Sequence, residues 1–212
     1  MTALRTRSET GDISSTGTIL FVCTGNICRS PFLELSLRHR LAQRSITSVA
    51  VRSAGTEALL RRPIASLMEE LLAQEDIDAT SFRTRQLEKH MVRSADLILT
   101  AERSHRSAVA RLLPSALPRI FTVRQAARLI NAAPAGSVQG TGLNPVQYLA
   151  LLCASGRTIN QPSGGAKDDI PDPWQQSRST YRNVAETMKE PLDVLANAIA
   201  AHRTAPSLSR TN

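Results

Sequence analysis

Two residues near the N-terminus, Cys23 and Arg29, could together carry out nucleophilic chemistry on an anion, and five residues separate them. The thiolate is the nucleophilic form of cysteine, and a nearby guanidinium favours that form. The guanidinium also offers a planar fork of N–H donors that fits two oxygens of a phosphoryl group. The pair therefore predicts attack by sulfur on a bound phosphate. A Cys and an Arg at this spacing also occur by chance as a buried thiol beside a surface charge.

The residues between this pair suit a tight loop that binds an anion. Gly25 allows a sharp turn, and Asn26 tolerates the left-handed backbone conformation. The apolar run 18–22 before the loop predicts a buried strand, and Pro31 after it suits the first turn of a helix. Backbone N–H groups and the helix dipole gather around an anion at such a junction. The residues predicted to surround the phosphate are Thr24, Gly25, Asn26, Ile27, Cys28 and Ser30.

A phosphate monoester also needs a proton donor for its leaving oxygen, and Asp172 is the best candidate. A proline stands on each side of Asp172, so a stiff loop can hold its carboxyl over a site without a helix or strand. Neither Asp168 nor Asp169 precedes a proline, and both are interpreted as solvated loop charges. The neighbouring Trp174 is predicted either to form an aromatic wall for a substrate ring or to pack on the domain.

Apolar runs that alternate with amphipathic segments must position these residues. This alternation predicts an α/β fold, a three-layer sandwich in which a four-stranded parallel sheet carries helices on both faces. Ligands of such sheets bind beyond the carboxyl ends of the strands, where the loop after Cys23 would lie. A proline at position 191 predicts a kink or a break in the last helix. The strands are expected at about 18–23, 47–53, 95–100 and 119–122, and the helices at about 31–44, 64–75, 87–93, 104–113, 123–130, 145–154 and 176–202.

The chain of 212 residues is predicted to hold one domain, at 17–203. Residues 1–16 are polar and are expected to form a disordered N-terminal tail, and residues 204–212 a loose C-terminal tail. The segment 131–169 is rich in Ala, Gly, Ser, Pro and Asn and is interpreted as an insertion.

Composition excludes several classes of partner. The formal net charge of +8 comes mainly from scattered arginines without interleaved aromatic residues, so no nucleic-acid partner is predicted. No apolar run approaches the ~20 residues that span a bilayer, so no membrane insertion is expected. Three cysteines without framework spacing favour a reducing, cytoplasmic location. No cluster has metal-ligand spacing, so neither a metal nor another cofactor is predicted. The scattered histidines, expected at the surface by default, are His39, His90, His105 and His202.

The string FVCTGNICRSP at 21–31 resembles the phosphate loop of the low-molecular-weight protein-tyrosine phosphatases. The segments 53–56, 95–99 and 121–128 are also similar to that family, and the resemblance covers most of 18–203. It implies a phosphotyrosine protein substrate and no metal. It further implies that Cys23 is the nucleophile, that Asp172 is the general acid, and that Ser53 supports the loop by hydrogen bonding.

Two other functions stay open at this stage. A thiol-dependent arsenate reductase can share this fold and loop but needs further resolving cysteines, and only Cys153 follows the loop. A non-catalytic phosphate-loop binding protein would use the same loop without chemistry. A reversible disulfide between Cys23 and Cys28 is a further hypothesis, since it would protect the nucleophile from over-oxidation.

Overall fold

The computed structural model describes residues 16–134, 136–138, 142–159 and 165–204. The two predicted tails therefore lie almost wholly outside the described residues, and the division of the chain into a domain, an insertion and tails stays a prediction. Within the described parts, no helix is both long enough and apolar enough to cross a bilayer.

The sheet has four parallel strands, β1 (Gly17–Cys23), β2 (Val49–Gly55), β3 (Leu97–Thr100) and β4 (Ile120–Thr122). Their order across the sheet is β2-β1-β3-β4, so β1 lies between two parallel neighbours. The predicted four-stranded parallel sheet is confirmed.

Helices cover both faces of this sheet, which confirms the three-layer sandwich. One face packs against α1, α2, α5, α6 and α7 through the larger apolar core, and the other packs against α3 and α4 through a smaller one. The helices are α1 (Arg29–Gln43), α2 (Ser66–Ala73), α3 (Lys89–Ser94), α4 (Arg103–Leu112), α5 (Val123–Ala132), α6 (Pro145–Ile159) and α7 (Arg178–Thr204).

The residues of β1 supply both cores because successive side chains of a strand point to opposite faces. Ile19 and Phe21 lie in the larger core, whereas Leu20 and Val22 lie in the smaller one. All four side chains are buried, as expected for a central parallel strand. This double burial fixes the carboxyl end of β1, where Cys23 stands, in the middle of the sheet.

Of the kink or break expected at Pro191, the break is wrong, since α7 runs without interruption from Arg178 to Thr204, and the kink stays a prediction. A proline inside a helix removes one backbone hydrogen bond. Buried apolar side chains on both sides of it, including Met188 and Leu192, pack α7 against the core. The burial of this stripe outweighs the lost bond.

The apolar island of the predicted insertion forms α6, a helix longer than expected, beside the amino end of β1. A Cβ on Gly17 would lie 2.5 Å from Asn144 Oδ1 and 2.6 Å from Val146 Cγ2, so the start of α6 presses directly on this strand end. Further along, the Tyr148 ring lies 4.8 Å from the ring of His202 near the end of α7. The start of α6 therefore packs at the amino end of β1, the end opposite to Cys23.

Gly55, at the end of β2, pairs with Cys23 across the sheet and leaves room for the loop that follows. A Cβ on Gly55 would lie 2.3 Å from the Thr24 carbonyl oxygen and 2.8 Å from the Asn26 nitrogen. Both atoms belong to backbone that is held on several sides, so any side chain at Gly55 must displace the loop.

We expect Gly55→Ala to lower the free energy of unfolding by roughly 1–3 kcal/mol, because the added methyl group overpacks a backbone contact. Gly25→Ala is the matched control, since a Cβ there meets its nearest atom at 3.4 Å, an ordinary contact. Urea unfolding of both variants measures the difference. An equal loss of stability in the two variants would contradict the close packing of Gly55 against the loop.

Candidate active site

Cys23 is the last residue of β1 and is 2% exposed. Its Sγ lies 3.0 Å from Ser30 Oγ, in the first turn of α1. Asn26 Nδ2 donates to the same Ser30 oxygen at 2.9 Å, so the Ser30 hydroxyl proton is directed either to the sulfur or to the Ala54 carbonyl, 3.4 Å away. The sulfur is the nearer of these two acceptors, so Ser30 can donate a hydrogen bond to a Cys23 thiolate.

The backbone of the loop turns its carbonyl groups away from the loop interior. The carbonyls of Cys23 and Thr24 each accept a 2.9 Å bond from the segment after β2, and the carbonyl of Ile27 accepts one from Ala65 N. In a trans peptide the N–H of the next residue points the opposite way from the carbonyl. The N–H groups of Thr24, Gly25 and Cys28 therefore point inward, where they can bind phosphoryl oxygens.

The turn of the loop occurs at Asn26, whose φ of +52° lies in the left-handed region. This conformation was expected of Asn26, whereas Gly25 does not adopt a positive φ. The Asn26 side chain holds the turn, since its Nδ2 donates to Ser53 Oγ at 2.8 Å and its Oδ1 accepts from Arg85 N at 2.8 Å.

These contacts close into a ring through a buried carboxylate, Glu34 on α1. Ser53 Oγ donates to Glu34 Oε2 at 2.6 Å, and the Arg85 guanidinium donates to the same oxygen at 2.7 Å. Asn26 joins Ser53 to Arg85 on the other side. These bonds link the four residues to one another, so the loop is held in shape before any ligand binds.

Arg29, the first residue of α1, is 1% exposed. Its Nη1 donates to Glu102 Oε1 and, at 3.0 Å, to the carbonyl of Ile170, while its Nη2 donates to Asp172 Oδ2 at 2.6 Å. Its Nε is buried and has no partner among the described residues. The guanidinium is thus held on one side and keeps a donor free for a phosphoryl oxygen.

Asp172 lies at the site, 143 residues after Arg29, with its side chain 45% exposed. Its Oδ1 accepts a 3.1 Å bond from Trp174 N, so the loop folds around the carboxylate. The loop root is tied down as well, because Ile170 N donates to the Ala101 carbonyl at 2.9 Å. The structure thus brings Asp172 together with Arg29.

The two preceding aspartates are anchors, and the interpretation of them as solvated charges is wrong. Asp168 is buried and pairs with Arg128 of α5 at 3.0 Å. Asp169 accepts from the backbone N of Arg103 at 2.9 Å and pairs with its guanidinium at 3.1 Å. The residues next to Asp168 and Asp169 in sequence, an isoleucine and a proline, do not indicate these distant partners.

Two residues that the sequence analysis missed, Glu102 and His105, complete the wall around Arg29. His105 is buried rather than at the surface as expected, and its Nδ1 accepts from Glu102 N at 3.1 Å. The ring proton is therefore on Nε2, which donates to Thr24 Oγ1 at 2.8 Å. Burial, and then the charge of Arg29, lower the pKa of His105, so the ring stays neutral at pH 7. The position of Glu102 directly after β3 was the available signal, since ligands bind at that end of the sheet.

Cys28 lies beneath the loop, with its Sγ 3.5 Å from the Tyr181 hydroxyl. Burial raises the pKa of the Cys28 thiol to about 12. Burial and the contact with Cys28 also raise the pKa of Tyr181. Cys23 and Cys28 are both free thiols in this structure, and the reversible disulfide stays a hypothesis.

A groove of about 520 Å³ opens beside the loop. Ile27 of the loop and residues of the segment 59–67 line it. Trp174, the two glutamines after it and Tyr181 also line the groove. Trp174 is 40% exposed. Across the described residues, no group of three His, Cys, Asp or Glu side chains could hold a metal ion.

The fold and this site define a class, that of α/β proteins with a cysteine and an arginine on one anion-binding loop. The family described as low molecular weight phosphotyrosine protein phosphatase matches residues 18–129, and the chain belongs to that family. Asp172 lies beyond the matched residues.

Individual relatives agree with this assignment. The low molecular weight protein-tyrosine-phosphatase Etp of Escherichia coli (strain K12) is 38% identical over 96 residues, which are 45% of this chain and 62% of Etp. The chain therefore spans less than two thirds of the length of this curated relative. Two solved structures share the fold. The tyrosine phosphatase amsI of Erwinia amylovora has a TM-score of 0.62 and 23% identity, and the match covers 86% of this chain and 93% of that one. The YwlE arginine phosphatase of Geobacillus stearothermophilus has a TM-score of 0.61 and 24% identity, and the match covers 85% of this chain and 91% of that one.

The lowered pKa of His105 makes the stability of the fold depend on pH. Below pH 6.5 the unfolded chain binds a proton on this side chain that the folded chain does not, so stability is fully present above 6.5 and is lost as the pH falls toward the folded pKa. We expect wild type to lose more stability between pH 7.5 and pH 5.5 than His105→Gln, which cannot titrate there. Urea unfolding at the two pH values measures this.

His90→Gln serves as the control for this comparison, because the His90 side chain is 71% exposed. It should keep the acid sensitivity of wild type. An acid loss that is the same in wild type and in His105→Gln would show that the neutral ring of His105 does not contribute.

Proposed function

We propose that the chain is a phosphotyrosine protein phosphatase that hydrolyses phosphate monoesters through a phosphocysteine intermediate. The contact between Arg29 Nη2 and Asp172 Oδ2 carries this proposal, because it brings a carboxyl to the mouth of the loop that starts at Cys23. The nucleophile Cys23, the anion-binding Arg29 and the proton donor Asp172 then surround one position. Membership of the phosphatase family supports the same reading.

In the first step the Cys23 thiolate attacks phosphorus. An S–P bond forms, the P–O bond to the leaving group breaks, and Asp172 gives its proton to the leaving oxygen. The phosphoryl oxygens take the place of the Asp172 carboxylate on Arg29 and also meet the free Nε. The inward N–H groups and the guanidinium stabilise the three equatorial oxygens.

In the second step water attacks the phosphocysteine from the side that the leaving group has vacated. Asp172, now a carboxylate, accepts a proton from this water, the S–P bond breaks, and phosphate leaves. Ser30 donates to the departing sulfur, which returns to the thiolate form. The enzyme ends each cycle with the same protonation states as it began, and no redox partner takes part.

The groove favours a phenol as the leaving group. Ile27, Leu59 and Trp174 present apolar surface beside the loop, which suits a flat aromatic ring. Trp174 is proposed as the aromatic wall for that ring. A phosphorylated arginine, the substrate class named for YwlE, would place a charged group on this surface instead.

The two alternative functions receive less support. A reductase needs further resolving cysteines beyond the loop, and Cys153 is fully buried on α6 with its Sγ 3.9 Å from the Ala126 carbonyl. A non-catalytic binding protein would have no need of a carboxyl poised on the arginine.

The free thiols are consistent with action in the cytoplasm, which is reducing.

The roles of Cys23 and Asp172 can be tested with aryl phosphates. We expect Cys23→Ser to abolish turnover and Asp172→Asn to lower kcat by roughly 100-fold or more on phenyl phosphate, the range for a lost general acid. The loss in Asp172→Asn should be smaller on p-nitrophenyl phosphate, because that leaving group departs without a proton more easily. Steady-state phosphate release measures both.

Asp193→Asn is the matched control, since it removes a carboxylate that pairs with Arg40 on the exposed surface of α7. It should turn over both substrates like wild type. Activity retained in Cys23→Ser, or an Asp172→Asn loss that is equal on the two substrates, would contradict the mechanism.

The substrate class can be tested by direct competition. We expect kcat/KM for a phosphotyrosine peptide to exceed that for the same peptide with phosphoarginine by at least about 10-fold, the discrimination of a little over 1 kcal/mol that a pocket of matching chemistry gives. Arsenate with a thiol reductant should give no arsenite. A preference for phosphoarginine, or arsenite formation, would overturn the assignment to phosphotyrosine.

A further inference from the structure

The groove beside the phosphate loop is larger than the ring of a phosphotyrosine requires. Its volume of about 520 Å³ falls within the roughly 300–1,000 Å³ of sites that enclose whole ligands. It is lined by Ile27 of the loop, by residues of the segment 59–67 and by Trp174 with the two glutamines after it. A bound phosphotyrosine would therefore leave much of the groove for its neighbours in a peptide.

Exposed apolar side chains concentrate at this groove. Leu59 is 54% exposed, Leu60 is 66% exposed and Trp174 is 40% exposed, and these three are most of the large apolar side chains that are exposed among the described residues. Leu59 and Trp174 line the groove directly, and Leu60 adjoins it. Exposed apolar residues gathered at one place are typical of a surface that binds another molecule.

The charge at the groove is positive. Arg62 lines it, and Arg61 precedes Arg62 in the same exposed segment. Within the described residues, the Arg62 guanidinium has no carboxylate partner. The nearest carboxylate along this segment, Glu57, stands at its loop-side end and does not line the groove, and Glu70 of α2 is paired with Arg178. An acidic side chain would therefore find an unopposed guanidinium here.

The wall that carries Arg62 is fixed in place. The buried Thr84 hydroxyl donates to the Leu59 carbonyl and accepts from Arg62 N at 2.9 Å, and Thr84 N donates to the Arg62 carbonyl at 2.9 Å. At its far end, Ala65 N is bonded to the Ile27 carbonyl of the phosphate loop. The backbone that carries Arg62 is thus held in place before binding, which reduces the ordering cost.

We infer that this groove is a peptide subsite that selects phosphotyrosine sequences with acidic residues beside the phosphotyrosine. The inference rests on the proposed function. Apolar atoms of the peptide pack on Leu59 and Trp174, and Arg62 pairs with the acidic side chain.

Phosphotyrosine peptides that differ only in carrying three aspartates or three lysines next to the phosphotyrosine test this. We expect the kcat/KM ratio, acidic over basic, to be about five-fold or more in wild type at low salt, because each exposed ion pair contributes modestly. The ratio should fall as salt is added. Arg62→Glu should bring the ratio to about one, and Arg62→Ala should give an intermediate value.

The positive charge of the whole chain would also attract acidic peptides, so a control with the same change of net charge is needed. Arg111→Glu provides it, because Arg111 is exposed on α4 and does not line the groove. It should keep the ratio close to that of wild type. Equal ratios in Arg62→Glu and Arg111→Glu would overturn the subsite, as would a wild-type ratio near one.

Hydrolysis of p-nitrophenyl phosphate by wild type separates the two proposals. A wild-type enzyme that hydrolyses this compound but shows no peptide preference overturns only the subsite. A wild-type protein that hydrolyses neither overturns the proposed function and the subsite with it.

Discussion

The burial of the Arg29 guanidinium is the constraint on which the site depends. A charge removed from water is costly unless acceptors surround it, and here three acceptors come from two places in the chain. Glu102 follows β3, while the Ile170 carbonyl and Asp172 belong to the loop before α7. One side chain at the start of α1 therefore draws the ends of two strands and a distant loop together. The same contacts leave its buried Nε without a partner among the described residues.

The loop itself is shaped by a second set of contacts that does not involve Arg29. Asn26 takes a left-handed conformation that a bond to Ser53 and a bond from Arg85 hold in place, and the buried Glu34 closes the ring. Donors that are fixed in advance stabilise a developing charge without having to reorganise. The shape of the loop is thus a property of the folded chain, set by polar groups on β2, on α1 and in the segment before α3.

Sequence reasoning reached the parts of the structure that depend on local pattern. The strand-to-helix junction around Cys23, the parallel sheet and the apolar face of α1 follow from residue types and spacing. It failed where a residue is defined by a partner far along the chain. His105 is buried because Thr24 and Glu102 complete its hydrogen bonds, and nothing beside it in sequence indicates this. The anchoring of Asp169 likewise depends on Arg103, 66 positions away.

The long final helix, α7, contacts both the loop after Cys23 and the distant helix α6. Tyr181, in its first turn, touches Cys28 under the phosphate loop, and His202, in its last, touches Tyr148 on α6. At 1.5 Å per residue these two points are about 30 Å apart. The outer surface of α6 is therefore remote from the loop after Cys23, and a protein that bound there would leave the mouth of that loop uncovered.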